Sequence, residues 1–207
     1  MKFLIADDHA IVRKGIIQLL REEFTISEAI EVTSGNAVLE QVRKQQWDAI
    51  LLDISMPGRN GIEIVKQLRA NGVKTPILII SMYPEEQYAI RALKAGASGF
   101  LNKESANEEL LAAVHKILSG RKYISSSIAD KLAETLGETG GVPSDELSDR
   151  ELQVLQLIAS GKTVSEIAAE LSLSVNTVST YRTRLLDKLS LHNNAELTRY
   201  ALNHRLA

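Results

Sequence analysis

Short apolar runs alternate with amphipathic stretches through the first part of the chain. Phe3–Ala6, Ile26–Val32, Ala49–Leu52, Ile77–Ser81 and Gly99–Leu101 read as strands. Between them, roughly His9–Glu23, Gly35–Gln45, Gly61–Asn71, Glu85–Ala95 and Ser105–Leu118 space their apolar residues as helices do. This repetition of strand then helix predicts an α/β unit, a doubly wound five-stranded parallel sheet covered on both faces. Ala49–Leu52 and Ile77–Ile80 are apolar throughout, as strands buried on both sides must be.

The pattern changes after Leu118. Ser119-Gly120-Arg121-Lys122-Tyr123 opens a connector, Ser125–Leu136 reads as one short helix, and residues 137–143 have the Gly/Pro density of a linker. From Leu147 onward only helical patterns follow: Asp149–Ser160, Val164–Leu171, Val175–Leu189 and Asn194–Asn203. The expected divisions are therefore 1–120, a linker over 121–146, and a small all-α unit over 147–207.

Composition narrows the class. A chain of 207 residues suits two ordinary domains, and 44% hydrophobic with 24% charged residues is a common soluble balance. Cysteine is absent, which removes disulfides, thiolate catalysis and Cys-based zinc sites together. No apolar run approaches the ~18–20 residues that span a bilayer, and no export signal is evident. A cytoplasmic protein without a membrane partner is expected. The net charge of −2 conceals a local excess of three positive charges from Ser174 onward: Arg182, Arg184, Lys188, Arg199 and Arg205 against Asp187 and Glu196.

In a doubly wound sheet, ligands bind beyond the carboxyl ends of the strands. Asp7 and Asp8 follow the first strand, Asp53 the third, Ser81 ends the fourth and Lys103 follows the fifth. Taken singly, these are ordinary caps, turn formers and surface charges. Their joint placement at one sheet edge points instead to a site. Clustered carboxylates need a cation, and with no thiol and no histidine counted among the ligands, hard Mg²⁺ is the natural choice. A metal-bound carboxylate can act as a nucleophile towards phosphorus, with Lys103 neutralising charge and the Ser81 hydroxyl donating a hydrogen bond.

Residues 1 to about 120 resemble the receiver domain of a two-component response regulator. The resemblance rests on Asp7-Asp8, Asp53-x-x-Met56-Pro57-Gly58 with Gly61 nearby, Ser81, and Gly96-Ala97-x-Gly99-Phe100-Leu101-x-Lys103. It implies a flavodoxin-like fold and makes Asp53 the phosphoacceptor. It also implies that Asp8, Asp53 and the Ser55 carbonyl bind Mg²⁺, with Asp7 acting through water, and that Lys103 pairs with the phosphoryl group. Ser81 and Phe100 would form the switch pair, the aromatic ring turning inward on activation.

In the helical unit, Thr163–Leu171, Ser172-Leu173-Ser174 and Val175–Val178 read as helix, tight turn, helix, with Ser174 as an N-cap. Asn176, Ser179, Thr180, Thr183 and Arg184 lie on the polar face of the second helix, where they suit base edges in a major groove. Arg182, Arg184 and Lys188 suit phosphates. The unit is similar to the LuxR-type DNA-binding domain in Leu147–Leu155, Ile158-Ala159-Ser160-Gly161, Glu166-Ile167-Ala168-x-x-Leu171, Ser174–Val178 and Asp187-Lys188-Leu189. It departs in having Ser179 and Tyr181 where many relatives carry lysine and histidine. The whole chain resembles the NarL/FixJ subfamily. That implies a transcription regulator, not an enzyme, which a sensor histidine kinase phosphorylates and which then forms a homodimer on double-stranded promoter half-sites. Dimerisation would use the first and fifth helices, and Leu197, Tyr200 and Ala201 of the last helix are either a second dimer surface or core. A phospho-aspartyl hydrolase of similar chemistry has a second aspartate two positions after its nucleophile, and Ser55 stands there.

Overall fold

The structure is a computed structural model and describes residues 1–125, 128–129, 147–204 and 206. Most of the short helix expected over Ser125–Leu136, and the Gly/Pro-rich stretch after it, lie outside the described residues. The chain divides into two compact units, Met1–Gly137 and Glu138–Ala207.

The first unit runs β1 (Lys2–Ala6), α1 (Ala10–Glu23), β2 (Glu28–Val32), α2 (Gly35–Lys44), β3 (Ala49–Leu52), α3 (Gly61–Ala70), β4 (Ile77–Ser81), α4 (Glu85–Ala95), β5 (Gly99–Asn102) and α5 (Ala106–Leu118). All five strands are parallel in the order β2-β1-β3-β4-β5. The winding reverses between β1 and β3, which opens the crevice where such folds bind ligands. β2 starts at Glu28 rather than at Ile26 because its partner β1 starts at Lys2, directly opposite Glu28. β5 runs one residue beyond the expected Leu101 because Asn102 pairs with Ser81.

Alternation along the strands builds two cores. Phe3, Ile5, Leu51, Leu78, Ile80 and Leu101 pack against Ile16, Leu20, Leu110, Val114 and Ile117 of α1 and α5. The alternate positions Leu4, Ile50, Leu52, Ile79 and Phe100 are equally buried and point to the other face, which α2, α3 and α4 cover. Each such side chain contributes about 1.5–3 kcal/mol by leaving water. After α5 the chain turns back along β5: Tyr123 N–H donates to Ser98 O at 2.9 Å, and Phe100 N–H donates to Tyr123 O at 3.3 Å. That short pairing covers part of the sheet edge.

The second unit contains α6 (Asp149–Ala159), α7 (Val164–Glu170), α8 (Val175–Leu189) and α9 (Asn194–Asn203). Its helices start where the caps dictate. Ser148 with Glu151, and Thr163 with Glu166, form reciprocal capping boxes, while Ser174 accepts from Thr177 N–H at 3.0 Å and Asn193 from Glu196 N–H at 3.0 Å. Between α7 and α8, Ser172 takes a left-handed conformation (φ 52°), and Leu173 N–H closes the turn on Ala168 O at 2.8 Å. Leu155, Ile167, Ala168, Val178, Leu185, Leu197 and Ala201 are buried. Of the three residues of the last helix expected as dimer surface or core, Leu197 and Ala201 are core. Tyr200 is half-buried and stacks on His204 with centroids 4.0 Å apart. Among the described residues, no helix is long and apolar enough to cross a membrane.

Candidate phosphoacceptor pocket and nucleic-acid interface

The backbone ladder continues past the strand ends and sets the pocket. Asp7 N–H donates to Val32 O at 3.1 Å, Asp53 N–H to Ala6 O at 2.8 Å, and Lys103 N–H to Ser81 O at 2.9 Å. Because Ala6 lies opposite Leu52, Asp7 and Asp53 fall on adjacent strands in the next rung. Gly61 is required close by: a Cβ there would lie 2.2 Å from Asp53 O. Only glycine lets α3 start this tightly against the loop that follows Asp53. Its neighbour Asn60 caps α3 by accepting from Ile62 N–H at 2.8 Å.

The side chains converge. Lys103 Nζ lies 2.7 Å from Asp7 Oδ2 and 2.9 Å from Asp53 Oδ2, with all three groups buried. Burial, opposed by Lys103 and reinforced by Asp7, raises the Asp53 carboxyl to about 6, and a backbone hydrogen bond from Ser55 pulls slightly the other way. For Lys103, burial alone favours the neutral amine, yet Asp53 and Asp7 outweigh it and hold the pKa above that of an ordinary lysine. Arg13 braces the corner, donating from Nη1 to Asp7 O at 2.7 Å and from Nε to Glu31 Oε2 at 2.8 Å.

Neither aspartate of the opening pair serves as N-cap of α1. That position belongs to His9, which makes no side-chain capping bond. Instead, the His9 ring turns back, with Nδ1 2.8 Å from Asp8 Oδ1 and 3.2 Å from Asp7 Oδ1. Asp7, Asp8, His9 and Asp53 each offer a ligand atom, all within 4.8 Å of one another. Three carboxylates at this spacing fit a hard divalent ion such as Mg²⁺. Sequence reasoning counts no histidine in this set; the structure adds His9, which stands one residue before the first helix.

Ser81 is fully buried, and its Oγ accepts from Tyr83 N–H at 3.1 Å. Its hydroxyl hydrogen is left to donate elsewhere. Phe100, expected to turn inward on activation, is already fully buried. A ring without a hydroxyl gains nothing at the surface, so the inward position is favoured from the outset.

In the second unit, Asn176, Ser179, Thr180, Thr183 and Arg184 are exposed on α8, opposite buried Val178 and Leu185. The Thr180 and Thr183 hydroxyls donate to Asn176 O at 2.9 Å and Ser179 O at 3.1 Å, which turns their methyl groups and lone pairs outward. Two expected phosphate contacts already have partners. Arg182 Nε donates to Asn194 Oδ1 at 2.6 Å, and Lys188 Nζ lies 2.7 Å from Glu151 Oε2 of α6. Both side chains tie α8 to its neighbours in the unit.

Comparison with known proteins agrees with this geometry. Residues 3–115 match the family described as "Response regulator receiver domain", and residues 145–201 match "Bacterial regulatory proteins, luxR family". The chain is 35% identical over 205 residues to the response regulator UvrY of Escherichia coli (strain K12), which covers 98% of this chain and 94% of UvrY. Among solved structures, RcsB from Salmonella enterica serovar Typhimurium, bound to promoter rprA in the presence of the phosphomimetic BeF3-, is similar with a TM-score of 0.63 at 27% identity, over 97% of both chains. A structure of two RcsB dimers bound to two parallel DNAs is similar with a TM-score of 0.59 at 27% identity, again over 97% of both chains. The chain therefore belongs to the NarL/FixJ family of two-component response regulators, DNA-binding transcription regulators rather than enzymes, with a receiver domain followed by a LuxR-type helix-turn-helix domain.

Proposed function

We propose that this chain is a cytoplasmic transcription regulator switched by phosphoryl transfer to Asp53 from a sensor histidine kinase. The observation that carries the reading is the buried Asp53 carboxylate at the end of β3, paired with Lys103 and flanked by Asp7 and Asp8. In the transfer, an Asp53 oxygen attacks the phosphorus of a phosphohistidine. The new P–O bond forms as the P–N bond breaks, and the released imidazole takes a proton from water. Asp7, Asp8, Asp53 and the Ser55 carbonyl would hold Mg²⁺, with Asp8 in direct contact and Asp7 acting through water. Bound there, the ion would offset charge on the carboxylates and the incoming phosphoryl oxygens. Lys103 neutralises one phosphoryl oxygen, and Ser81 donates its hydroxyl hydrogen to another. Because Phe100 is already inward, the movement falls to Ser81 and the loop that leads to α4.

Residues 1–120 form the receiver, 121–146 the linker and 147–207 the DNA-binding domain. On phosphorylation the chain forms a homodimer through α1 and α5. Ile11 is 83% exposed on α1, and a cavity of about 210 Å³ beside it is lined by Val12, Gly15, Ile16, Ala106 and Leu110. A two-fold dimer would place two copies of α8 on two half-sites of a double-stranded promoter. There Asn176, Ser179, Thr180 and Thr183 face base edges, and Arg182, Arg184 and Lys188 face phosphates. The test is treatment with a small acyl phosphate and Mg²⁺, followed by intact mass and promoter affinity. A mass gain of one phosphoryl group and tighter DNA binding are expected, both absent in Asp53→Ala. If neither quantity changes in the wild type, the proposal fails.

A further inference from the structure

We propose that His9 is a nitrogen donor to the acidic pocket and biases it towards first-row transition ions such as Mn²⁺ over Mg²⁺. The inference rests on the pocket being a metal site.

His9 occupies the N-cap of α1, where Ser, Thr, Asp or Asn would normally accept a backbone N–H, yet it makes no capping bond there. Helix initiation therefore does not explain the residue. Its backbone N–H donates to Asp7 Oδ1 at 2.8 Å, a tight turn that points the ring back over the two aspartates. Nδ1 then lies within about 3 Å of a carboxylate oxygen on each of them.

The spacing suits a shared ion. Metal–ligand bonds of about 2.0–2.2 Å allow donor atoms to be at most roughly 4.4 Å apart around one centre. The donor atoms of Asp8, His9 and Asp53, with Asp7 beside them to act through water, already lie within 4.8 Å of one another, so shifts of tenths of an ångström suffice. Asp53 and Asp7 are fixed by burial, whereas Asp8 and His9 sit at the mouth and can adjust.

The chemistry then follows from ligand type. Mg²⁺ prefers oxygen and keeps its waters, while imidazole adds affinity along the first-row series from Mn²⁺ to Zn²⁺. The competing account is an ion pair between a protonated His9 and the two aspartates, which forms no nitrogen–metal bond. Pulsed electron paramagnetic resonance on Mn²⁺ bound to the full chain separates the two. The expected result is a ¹⁴N coupling from directly bound imidazole, lost in His9→Gln. In parallel titrations, the same substitution should lower Mn²⁺ affinity about tenfold and Mg²⁺ affinity by much less. Bound Mn²⁺ with no nitrogen coupling in the wild type, or equal losses for the two ions, overturns the role of His9 while leaving the metal pocket intact. If the wild type binds neither ion more tightly than Asp53→Asn does, the metal reading itself falls, and this inference with it.

Discussion

In the proposed function the pocket at the sheet edge and the polar face of α8 both meet a phosphate-bearing partner, but they are built in opposite ways. In the pocket, Asp7, Asp53 and Lys103 are buried and satisfy one another. On α8, Asn176, Ser179, Thr183 and Arg184 stand in water. A charge pair at 4 Å is worth about 1 kcal/mol in water and about 4 kcal/mol under an effective dielectric near 20. Burial therefore strengthens the charge interactions of the pocket, and also makes them a liability for the fold. Exposure makes the α8 face weak residue by residue, legible to a large partner and cheap to alter.

The largest effect is expected at Lys103. Lys103→Met removes the cation and leaves Asp7 and Asp53 facing each other in a buried site. The predicted loss is about 3–5 kcal/mol, read as a lower urea midpoint at pH 7.5, and it should shrink at acid pH as the Asp53 carboxyl, raised to about 6, protonates. Phosphorylation of Asp53 should be lost as well. An unchanged midpoint would mean that the pocket is held as loosely as the α8 face, and the contrast would collapse.

Asp53→Asn should act in the opposite direction on stability. The folded carboxyl is pushed up to about 6, above the ordinary aspartate value of 3.8. The stabilisation that comes from binding its proton more tightly in the folded state is whole below about pH 3.8 and is lost as pH rises through about 6. At pH 7.5 the ionised group thus costs about 2–3 kcal/mol. The metal-free variant should melt higher than the wild type at pH 7.5, with the advantage fading towards pH 4.5. Mg²⁺ should raise the wild-type melting temperature and leave the variant's nearly unchanged. A variant that melts lower at every pH would show that Asp53 supports the fold rather than straining it.

How far this contrast could be read in advance depended on the physics of each residue. Asp7, Asp53, Ser81 and Lys103 were visible because strand periodicity places them at carboxyl ends, and a parallel sheet gathers those ends at one edge. His9 was hidden by a single residue: counted as the first residue of a helix it is a surface side chain, and placed before Ala10 it turns into the pocket. The pairs Lys188–Glu151 and Arg182–Asn194 join different helices, and no spacing along α8 reveals them. Leu197 and Ala201 carried a true ambiguity, since an apolar stripe looks the same whether it meets its own domain or a second copy. The resemblance implies that Phe100 is half of a switch, but its inward position depends on packing under α4 that the strand pattern does not encode.

The smallest effect on the fold is expected at Arg184, and it tests the other side of the contrast. Arg184 is exposed on α8, so Arg184→Ala should shift the urea midpoint by less than about 0.5 kcal/mol. Promoter affinity should still fall by about 1 kcal/mol, and the dependence of log affinity on log salt should lose about one unit of slope, as when one phosphate contact disappears. Lys188→Ala provides the internal comparison, because its Nζ also reaches Glu151 of α6. It should cost more stability than Arg184→Ala, because it leaves the buried Glu151 carboxylate without its cation, and should change the salt slope less than Arg184→Ala if the Glu151 pair persists on DNA. Equal slopes for the two variants would show that Lys188 leaves Glu151 for a phosphate, so that even the exposed face carries a small internal switch.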